Sequence, residues 1–215
     1  DALRLGESDG AVARDIIEWH RLRAGQGTAQ EALIFLERNG DWPGLPYLRK
    51  QSEVALSDAS DQTILKYFEN SAPQTGAGAL AYALALSKEG QGNKASLVAQ
   101  NAWTTLSLTA PQHDAFLSSF GSALTPLHKL RLIEMLWMDE HGSAQQMQTL
   151  VGADLSALLR ARIALRKGQK GVTTLINAVP NALGNHPVLN HSRFEWRLQN
   201  GFRDSAIELL SSSSE

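Results

Sequence analysis

Apolar residues recur along this chain with the spacing of one face of an α-helix. Four residues of one stretch stand at positions i, i+3, i+4 and i+7: Ala29, Ala32, Leu33 and Leu36. A helix would place all four side chains on the same side. The same spacing recurs within residues 64–68, 95–102 and 130–137. Convincing alternation of apolar and polar residues, which would indicate strands, is missing. We therefore predict an all-α fold, in which the short β-branched stretch 171–179 is also helical.

Residues that start and stop helices agree with this pattern. Thr28 and Glu31 have the spacing of a capping box, in which each side chain bonds the backbone of the other residue. Asp41 is placed to cap the helix that follows it. Further N-cap candidates are Asp61, Ser143, Asp154 and Asp204. The result is about a dozen helices, most of them near the mean length of roughly 11 residues.

A weak internal repeat organises these helices. Five stretches share the order helix, glycine turn, second helix, with glycines at positions 25, 90, 142, 168 and 201. Their separations of 65, 52, 26 and 33 residues are near one or two helical-hairpin periods. One hairpin cannot bury its apolar face alone, so neighbouring hairpins stack. The repeat predicts a right-handed superhelical α-solenoid of stacked hairpins, similar to tetratricopeptide repeats, and we predict that residues 1–215 form one domain.

The composition narrows the possible partners. Lysine and arginine together number 20 against 22 acidic residues, so no basic excess favours nucleic acid as a partner. The absence of cysteine removes disulfides, thiolate metal sites and a cysteine nucleophile. No apolar run approaches the roughly 18–20 residues of a membrane span, so we predict none. No signal peptide begins the chain, so in an exported protein that segment would precede Asp1, either removed on export or not included in this sequence.

Candidate catalytic and metal-binding patterns are weak. The histidines lack the His-Glu-x-x-His spacing that places two imidazoles on one helix face, so we interpret all six as surface or loop residues: His20, His113, His128, His141, His186 and His191. The carboxylate pairs Asp15 with Glu18 and Asp139 with Glu140 are interpreted as solvated helix faces. Gly76 and Gly78 lack the Lys-Ser or Lys-Thr of a phosphate loop. We predict no catalytic, cofactor-binding or metal residue, and no cofactor.

Tryptophan and arginine leave two alternatives open. The five tryptophans could stack on the apolar C–H faces of sugar rings, but Trp19, Trp137 and Trp196 each precede a turn of the repeat, which favours packing between hairpins. The arginines cluster, and on a concave surface they could bind acidic polymers. The favoured interpretation is that their aliphatic stems cover helix surface: Arg21, Arg23, Arg160, Arg162, Arg166, Arg193 and Arg197.

Three strings resemble the superhelical domain of soluble lytic murein transglycosylases. Residues 15–25 resemble its first helix, and residues 190–197 are similar to a late Arg-x-x-Trp hairpin of that family. The most specific match is Asn39-Gly-Asp-Trp-Pro43, which resembles the family's Asn-x-Asp-Trp-Pro element between two helices. The resemblance runs from about Asp9 to Leu210 and is diffuse between Ser71 and Leu183.

This resemblance implies a periplasmic protein that acts on peptidoglycan. Family members cleave the glycan between N-acetylmuramic acid and N-acetylglucosamine without water and leave a 1,6-anhydromuramic end. Their catalytic glutamate lies in a separate lysozyme-like domain, whose signature runs from a Glu-Ser pair to a Gly-Leu-Met-Gln segment. A Glu-Ser pair occurs here at Glu7-Ser8, but no Gly-Leu-Met-Gln segment follows it. The resemblance therefore implies a non-catalytic superhelical region, inactive alone, whose partners are glycan strands and the catalytic domain of the same enzyme.

Two other functions stay open at the level of sequence. The Ala-rich stretch 81–103 also resembles tetratricopeptide hairpins, whose grooves bind protein segments. A scaffold for protein–protein interaction is therefore the main alternative. A third possibility is a stand-alone enzyme that uses scattered carboxylates.

Overall fold

A computed structural model describes residues 10–212, and every regular element in that range is helical. The prediction of an all-α fold is therefore confirmed. The β-branched stretch 171–179 contains a helix, Val172–Asn177, as the sequence predicted.

The chain forms two compact units, which divide between Leu124 and Thr125. The first unit contains seven α-helices among its described residues, and a 3₁₀ segment, Glu53–Asp58, directly continues the third helix. The helices are α1 (Ala11–Arg23), α2 (Ala29–Arg38), α3 (Leu45–Ser52), α4 (Asp61–Tyr67), α5 (Gly76–Lys88), α6 (Gly92–Thr105) and α7 (Ala110–Leu124).

The second unit is also helical throughout its described part, with two short 3₁₀ turns, Thr125–Leu127 and Met147–Thr149. Its helices are α8 (His128–Trp137), α9 (His141–Gln146), α10 (Ala153–Arg166), α11 (Val172–Asn177), α12 (Asn181–Gly184), α13 (Pro187–Gln199) and α14 (Arg203–Ser212). The predictions of a single domain and of a superhelical solenoid concern how all the helical hairpins are arranged along the chain. Both stay predictions.

The predicted apolar faces form the core of the first unit. All four residues of the α2 stripe, Ala29, Ala32, Leu33 and Leu36, are buried. Helices α5 and α6 pack against each other, and small residues are frequent among the buried positions of both. Gly78 lies in α5 beside the carboxylate of Glu53, and a Cβ at this position would meet the Glu53 Oε2 atom at 2.3 Å. This glycine is therefore required by the close packing of α5 against Glu53.

The core of the second unit is built around α10. Buried aliphatic side chains of this helix pack with residues of α11, the following loop and α13: Ala157, Leu158, Ala161, Ala164, Leu165, Val172, Val179 and Leu189. Nearly every position from Ala157 to Leu165 is buried. Helix α10 is therefore the central helix of this unit.

The turns of the repeat share one backbone geometry. Gly25, Gly90, Gly168 and Gly201 all have φ between 58° and 82°. In each case the next residue donates its N–H to the carbonyl five residues back, as in the 2.9 Å bond from Gln91 N to Leu86 O. This is the C-terminal cap in which a left-handed residue ends a helix, and glycine adopts it without steric cost.

The fifth turn differs from the prediction. Gly142 lies inside α9, and the left-handed residue is Asp139, with φ 57°. The following residue, Glu140, donates its N–H to Met135 O at 2.9 Å, so the same cap is formed three residues earlier. Aspartate tolerates this conformation better than most residues because its short polar side chain can bond locally.

The cap at Thr28 is confirmed, and the other predicted N-caps are wrong. Ser60 and Gly152 are the N-caps of α4 and α10, and three predicted residues lie inside the first turns of α4, α10 and α14: Asp61, Asp154 and Asp204. Thr28 and Glu31 form the capping box, with Thr28 N donating to Glu31 Oε2 at 2.7 Å. Asp41 does not cap α3, because the loop continues to Gly44, whose left-handed conformation precedes the helix. Ser143 lies buried inside α9 and is not its N-cap.

Candidate functional site

Two indole rings meet at the surface of the first unit. Trp19 lies near the end of α1, and Trp42 lies in the loop between α2 and α3. Their ring centroids are 6.3 Å apart with an interplanar angle of 61°, and Trp42 also meets the buried ring of Phe35 edge-on at 5.6 Å. Because Phe35 is fully buried, the pair is anchored on the core.

The loop that carries Trp42 is held by hydrogen bonds to its own backbone and to α1. Asn39 is buried, and its backbone N–H donates to Phe35 O at 2.9 Å. Trp42 N donates in turn to Asn39 O at 3.1 Å. Trp19 Nε1 donates to Pro43 O, also at 3.1 Å, which ties the loop to α1. The Asn-Gly-Asp-Trp-Pro string therefore forms one ordered turn against Trp19.

A cation extends this aromatic surface. The guanidinium carbon of Arg23 lies 4.2 Å from the Trp19 ring centroid and 5.1 Å from that of Tyr47. This is the geometry of a cation–π contact. Gly44 brings its backbone close to the same guanidinium. Arg23 and Tyr47 were not singled out as a pair from the sequence, although the i, i+4 spacing of Trp19 and Arg23 places both on one helix face.

A shallow depression of about 360 Å³ lies beside the two indole rings. It is lined by Ile16, Trp19, Asp41, Trp42 and Pro43. Most of the lining is apolar, and the Asp41 carboxylate is exposed at its edge. An aromatic surface beside a hydrogen-bond acceptor can contact the C–H face of a ring and accept from its hydroxyl groups. We call these five residues the indole site.

The other tryptophans occupy different environments. Trp103 is fully buried and stacks on His113 with ring centroids 4.9 Å apart. Trp137 is 43% exposed and meets His191 edge-on at 5.6 Å. Trp196 stacks on Phe202 within the α13–α14 hairpin, with ring centroids 5.8 Å apart. The burial of His113 corrects the interpretation of all six histidines as surface or loop residues.

Most of the clustered arginines are bound within their own unit. Arg21 pairs with Glu31 at 3.0 Å, and Arg197 donates to Ser205 O at 2.6 Å. Arg166 pairs with both Asp139 and Glu195. Burial lowers the pKa of Arg193, and the nearby charge of Arg197 lowers it further. These contacts occupy the guanidinium groups, so they do not favour a site for acidic polymers.

A network of charged side chains in the second unit centres on Asp139. Arg162 is only 1% exposed and donates to Asp139 Oδ1 at 3.0 Å and to Leu136 O at 3.1 Å. Its Nε and Nη1 atoms have no partner among the described residues. Burial lowers the pKa of Arg162. Burial also acts to raise the pKa of Asp139, but Arg166 and Arg162 outweigh it and hold that pKa below its usual value.

The predicted carboxylate pairs are not arranged as acid and base. Asp15 and Glu18 both form salt bridges with Arg38, and the distance from Glu18 Oε2 to Arg38 Nη2 is 3.1 Å. The two carboxylates are therefore paired with a cation and are not simply solvated. Asp139 serves the arginine network described above. In the described range no group of three or more histidine, cysteine or acidic side chains could hold a metal ion. No helix within residues 10–212 is long and apolar enough to cross a membrane.

Comparisons with known proteins add no relative. No family model, no curated protein and no solved structure matches this chain.

Proposed function

We propose that this chain is the non-catalytic superhelical region of a periplasmic lytic transglycosylase, and that it holds peptidoglycan glycan strands for a catalytic domain outside this sequence. The indole site supports this proposal. It coincides with the Asn39–Pro43 string, the most specific sequence resemblance, and its two indoles and one free carboxylate suit a hexosamine chain.

The chemistry of a glycan fits the indole site better than that of a nucleic acid or an acidic polymer. Sugar rings have apolar C–H faces that pack on aromatic planes, while their hydroxyl and N–H groups donate to carboxylates. Asp41 supplies such an acceptor at the edge of the depression. A negative charge in this position would repel phosphate groups.

The proposal includes a right-handed superhelical arrangement of the helical hairpins. The common cap of the turns at Gly25, Gly90, Asp139, Gly168 and Gly201 supports it, because similar turns produce similar hairpins. Small-angle scattering of the whole chain tests this arrangement. An extended arc supports it, and a scattering profile of a compact sphere contradicts it.

Calorimetric titration with soluble murein glycan tests the binding. We expect Asp41→Asn to weaken the affinity about threefold to tenfold, since one charge-assisted hydrogen bond contributes on the order of 1 kcal/mol. Trp19→Leu keeps an apolar side chain but removes the flat ring, and we expect a larger loss. Asp58→Asn is the matched control because Asp58 is an exposed carboxylate of the same unit, outside the indole site.

Two results would contradict the proposal. One is the absence of detectable heat with millimolar glycan for the wild-type chain. The other is equal affinity of the wild type, Asp41→Asn and Asp58→Asn proteins. Circular dichroism of each variant confirms that a loss of affinity is not a loss of fold.

A further inference from the structure

A second, larger groove lies in the first unit and shares no lining residue with the indole site. It runs between the segment 68–73 and helix α6 and has a volume of about 560 Å³. Lys94, Leu97 and Asn101 of α6 line one wall, and Glu69 and Asn70 line the other. Leu97 is 65% exposed, so a large apolar side chain faces solvent here.

The lining residues of α6 share one helix face. Lys94, Leu97, Val98 and Asn101 stand at positions i, i+3, i+4 and i+7. Seven residues of helix advance about 10 Å, and an extended chain covers this distance in about three residues. The groove therefore presents a cation, an apolar surface and an amide in the spacing of a short extended peptide.

The aromatic residues of this groove do not offer ring faces to a sugar. Phe68 is 3% exposed and Tyr82 is 6% exposed. The Lys94 ammonium also lies over the Tyr82 ring, 5.7 Å from its centroid. The accessible apolar surface is mostly aliphatic, from Leu97 and Val98. Such a surface suits peptide side chains better than hexosamine rings.

The polar groups of the groove are available for a ligand. Residues Asn70, Lys94 and Asn101 are exposed, so a ligand can reach their polar groups. An amide side chain can donate to and accept from a peptide backbone at once. Lys94 supplies a positive charge, while Glu69 opposite it disfavours a run of acidic residues.

The groove continues past Lys94. A second depression of about 450 Å³ shares Glu69, Tyr82 and Lys94 with the first and extends to Leu65 and Gln91. A bound chain therefore has room on both sides of the lysine. This favours an internal acidic residue over a C-terminal carboxylate.

We propose that this groove binds an extended segment of another protein that carries a single aspartate or glutamate with an apolar residue within two positions. The carboxylate pairs with Lys94, and the apolar side chain packs on Leu97 and Val98. The Asn101 amide bonds the peptide backbone about three residues from the acid. This interaction is independent of glycan binding at the indole site.

Selection from a displayed library of random heptapeptides against the whole chain tests the proposal. We expect enriched sequences to contain one acidic residue with an apolar neighbour within two positions. An enriched peptide, synthesised with a fluorescent label, then gives an affinity by anisotropy. Lys94→Glu is expected to lower that affinity at least tenfold, and a peptide with lysine in place of the acid should restore binding to the variant.

Leu97→Asp and Asn101→Ala are expected to weaken binding without altering the circular dichroism spectrum, because both side chains are exposed. Lys170→Glu is the matched control, since it reverses the charge of an exposed lysine in the other unit. No enrichment, enrichment without acidic residues, or equal affinity of the Lys94→Glu and Lys170→Glu proteins would each overturn the proposal. Failure of glycan binding would leave it unaffected.

Discussion

Glu53 is a buried carboxylate that holds the chain before α5. It is 1% exposed and accepts from Gln74 N and Thr75 N, both at 2.8 Å, and from Thr75 Oγ1 at 2.5 Å. Burial raises the pKa of Glu53 above 4.5, and its hydrogen bonds to Thr75 and Gln74 only partly oppose this. The residue therefore contributes hydrogen bonds at the cost of a desolvated charge.

Replacement of Glu53 by alanine should destabilise the first unit. Glu53→Ala leaves two backbone N–H groups and one hydroxyl, all of them partly buried, without their acceptor. A fully buried group without its partner costs about 1–3 kcal/mol, so each of these costs less than that. We expect the free energy of unfolding to fall by about 2–4 kcal/mol in urea denaturation. A change below about 0.5 kcal/mol, the usual range of surface substitutions, would show that water replaces the carboxylate.

The pH dependence of stability should carry the signature of Glu53. Because its folded-state pKa is raised, its stabilising contribution is complete below the unfolded pKa near 4.5 and is lost as the pH rises through the folded pKa. Relative to Glu53→Gln, which does not titrate, the wild type should lose stability as the pH rises from below the usual glutamate pKa toward neutrality. Denaturation of both proteins across this range measures the difference, and a relative gain toward neutral pH would refute it.

Asp139 combines a backbone role with a charge role, and substitutions can separate them. Asp139→Asn keeps a residue that tolerates left-handed φ but removes the charge that faces Arg162 and Arg166. Asp139→Ala removes both the charge and the tolerance of left-handed φ. Asp139→Gly also removes the charge, but glycine adopts the left-handed conformation without strain. We expect alanine to be the least stable of the three, below glycine by about 1 kcal/mol. Thermal unfolding gives the order, and alanine equal to glycine would exclude the backbone contribution.

At the scale of elements, the sequence predicted helices well and some of their ends poorly. The buried stripe of α2 and the capping box at Thr28 follow from local rules that need no tertiary information. Glycine is the local marker of such a turn and predicts it at Gly142, whereas the left-handed residue is Asp139, three residues earlier. What allows aspartate there is partly its pairing with Arg162, 23 residues away, which no local rule contains.

Helix α5 depends on close contact at Gly78, and an added methyl group should disrupt it. In Gly78→Ala the new Cβ would lie 2.3 Å from Glu53 Oε2 and 2.7 Å from its Cδ, so the carboxylate must move away from Thr75. We expect a loss of about 1–3 kcal/mol, as for other overpacked cores. Chemical denaturation provides the measurement.

Gly92→Ala is the control for this prediction. Gly92 begins α6, and a Cβ there would meet nothing within 4 Å. Alanine should therefore leave stability unchanged or raise it by up to about 1 kcal/mol. A similar loss in both variants would mean that the contact with Glu53 is not what makes Gly78 necessary.

At the scale of the whole molecule, the Asn39–Pro43 string indicates the position of the indole site, but the sequence does not predict its shape. The resemblance marks Asp41 and Trp42, whereas the repeat pattern predicts a packing role for Trp19. The bond from Trp19 Nε1 to Pro43 O joins residues 24 positions apart and brings the two indoles together. The groove beside α6 does not follow from the sequence, because the helical pattern marks the buried stripe of that helix and not its neighbouring face.

The glycan-holding role can be tested most directly with the indole N–H signals of the five tryptophans. We propose a titration of the ¹⁵N-labelled chain with soluble murein glycan, followed by NMR, with each signal assigned by single Trp→Phe variants. We predict concentration-dependent shifts of the Trp19 and Trp42 signals, while the buried Trp103 signal stays in place. Unchanged Trp19 and Trp42 signals at millimolar glycan would contradict the proposed role.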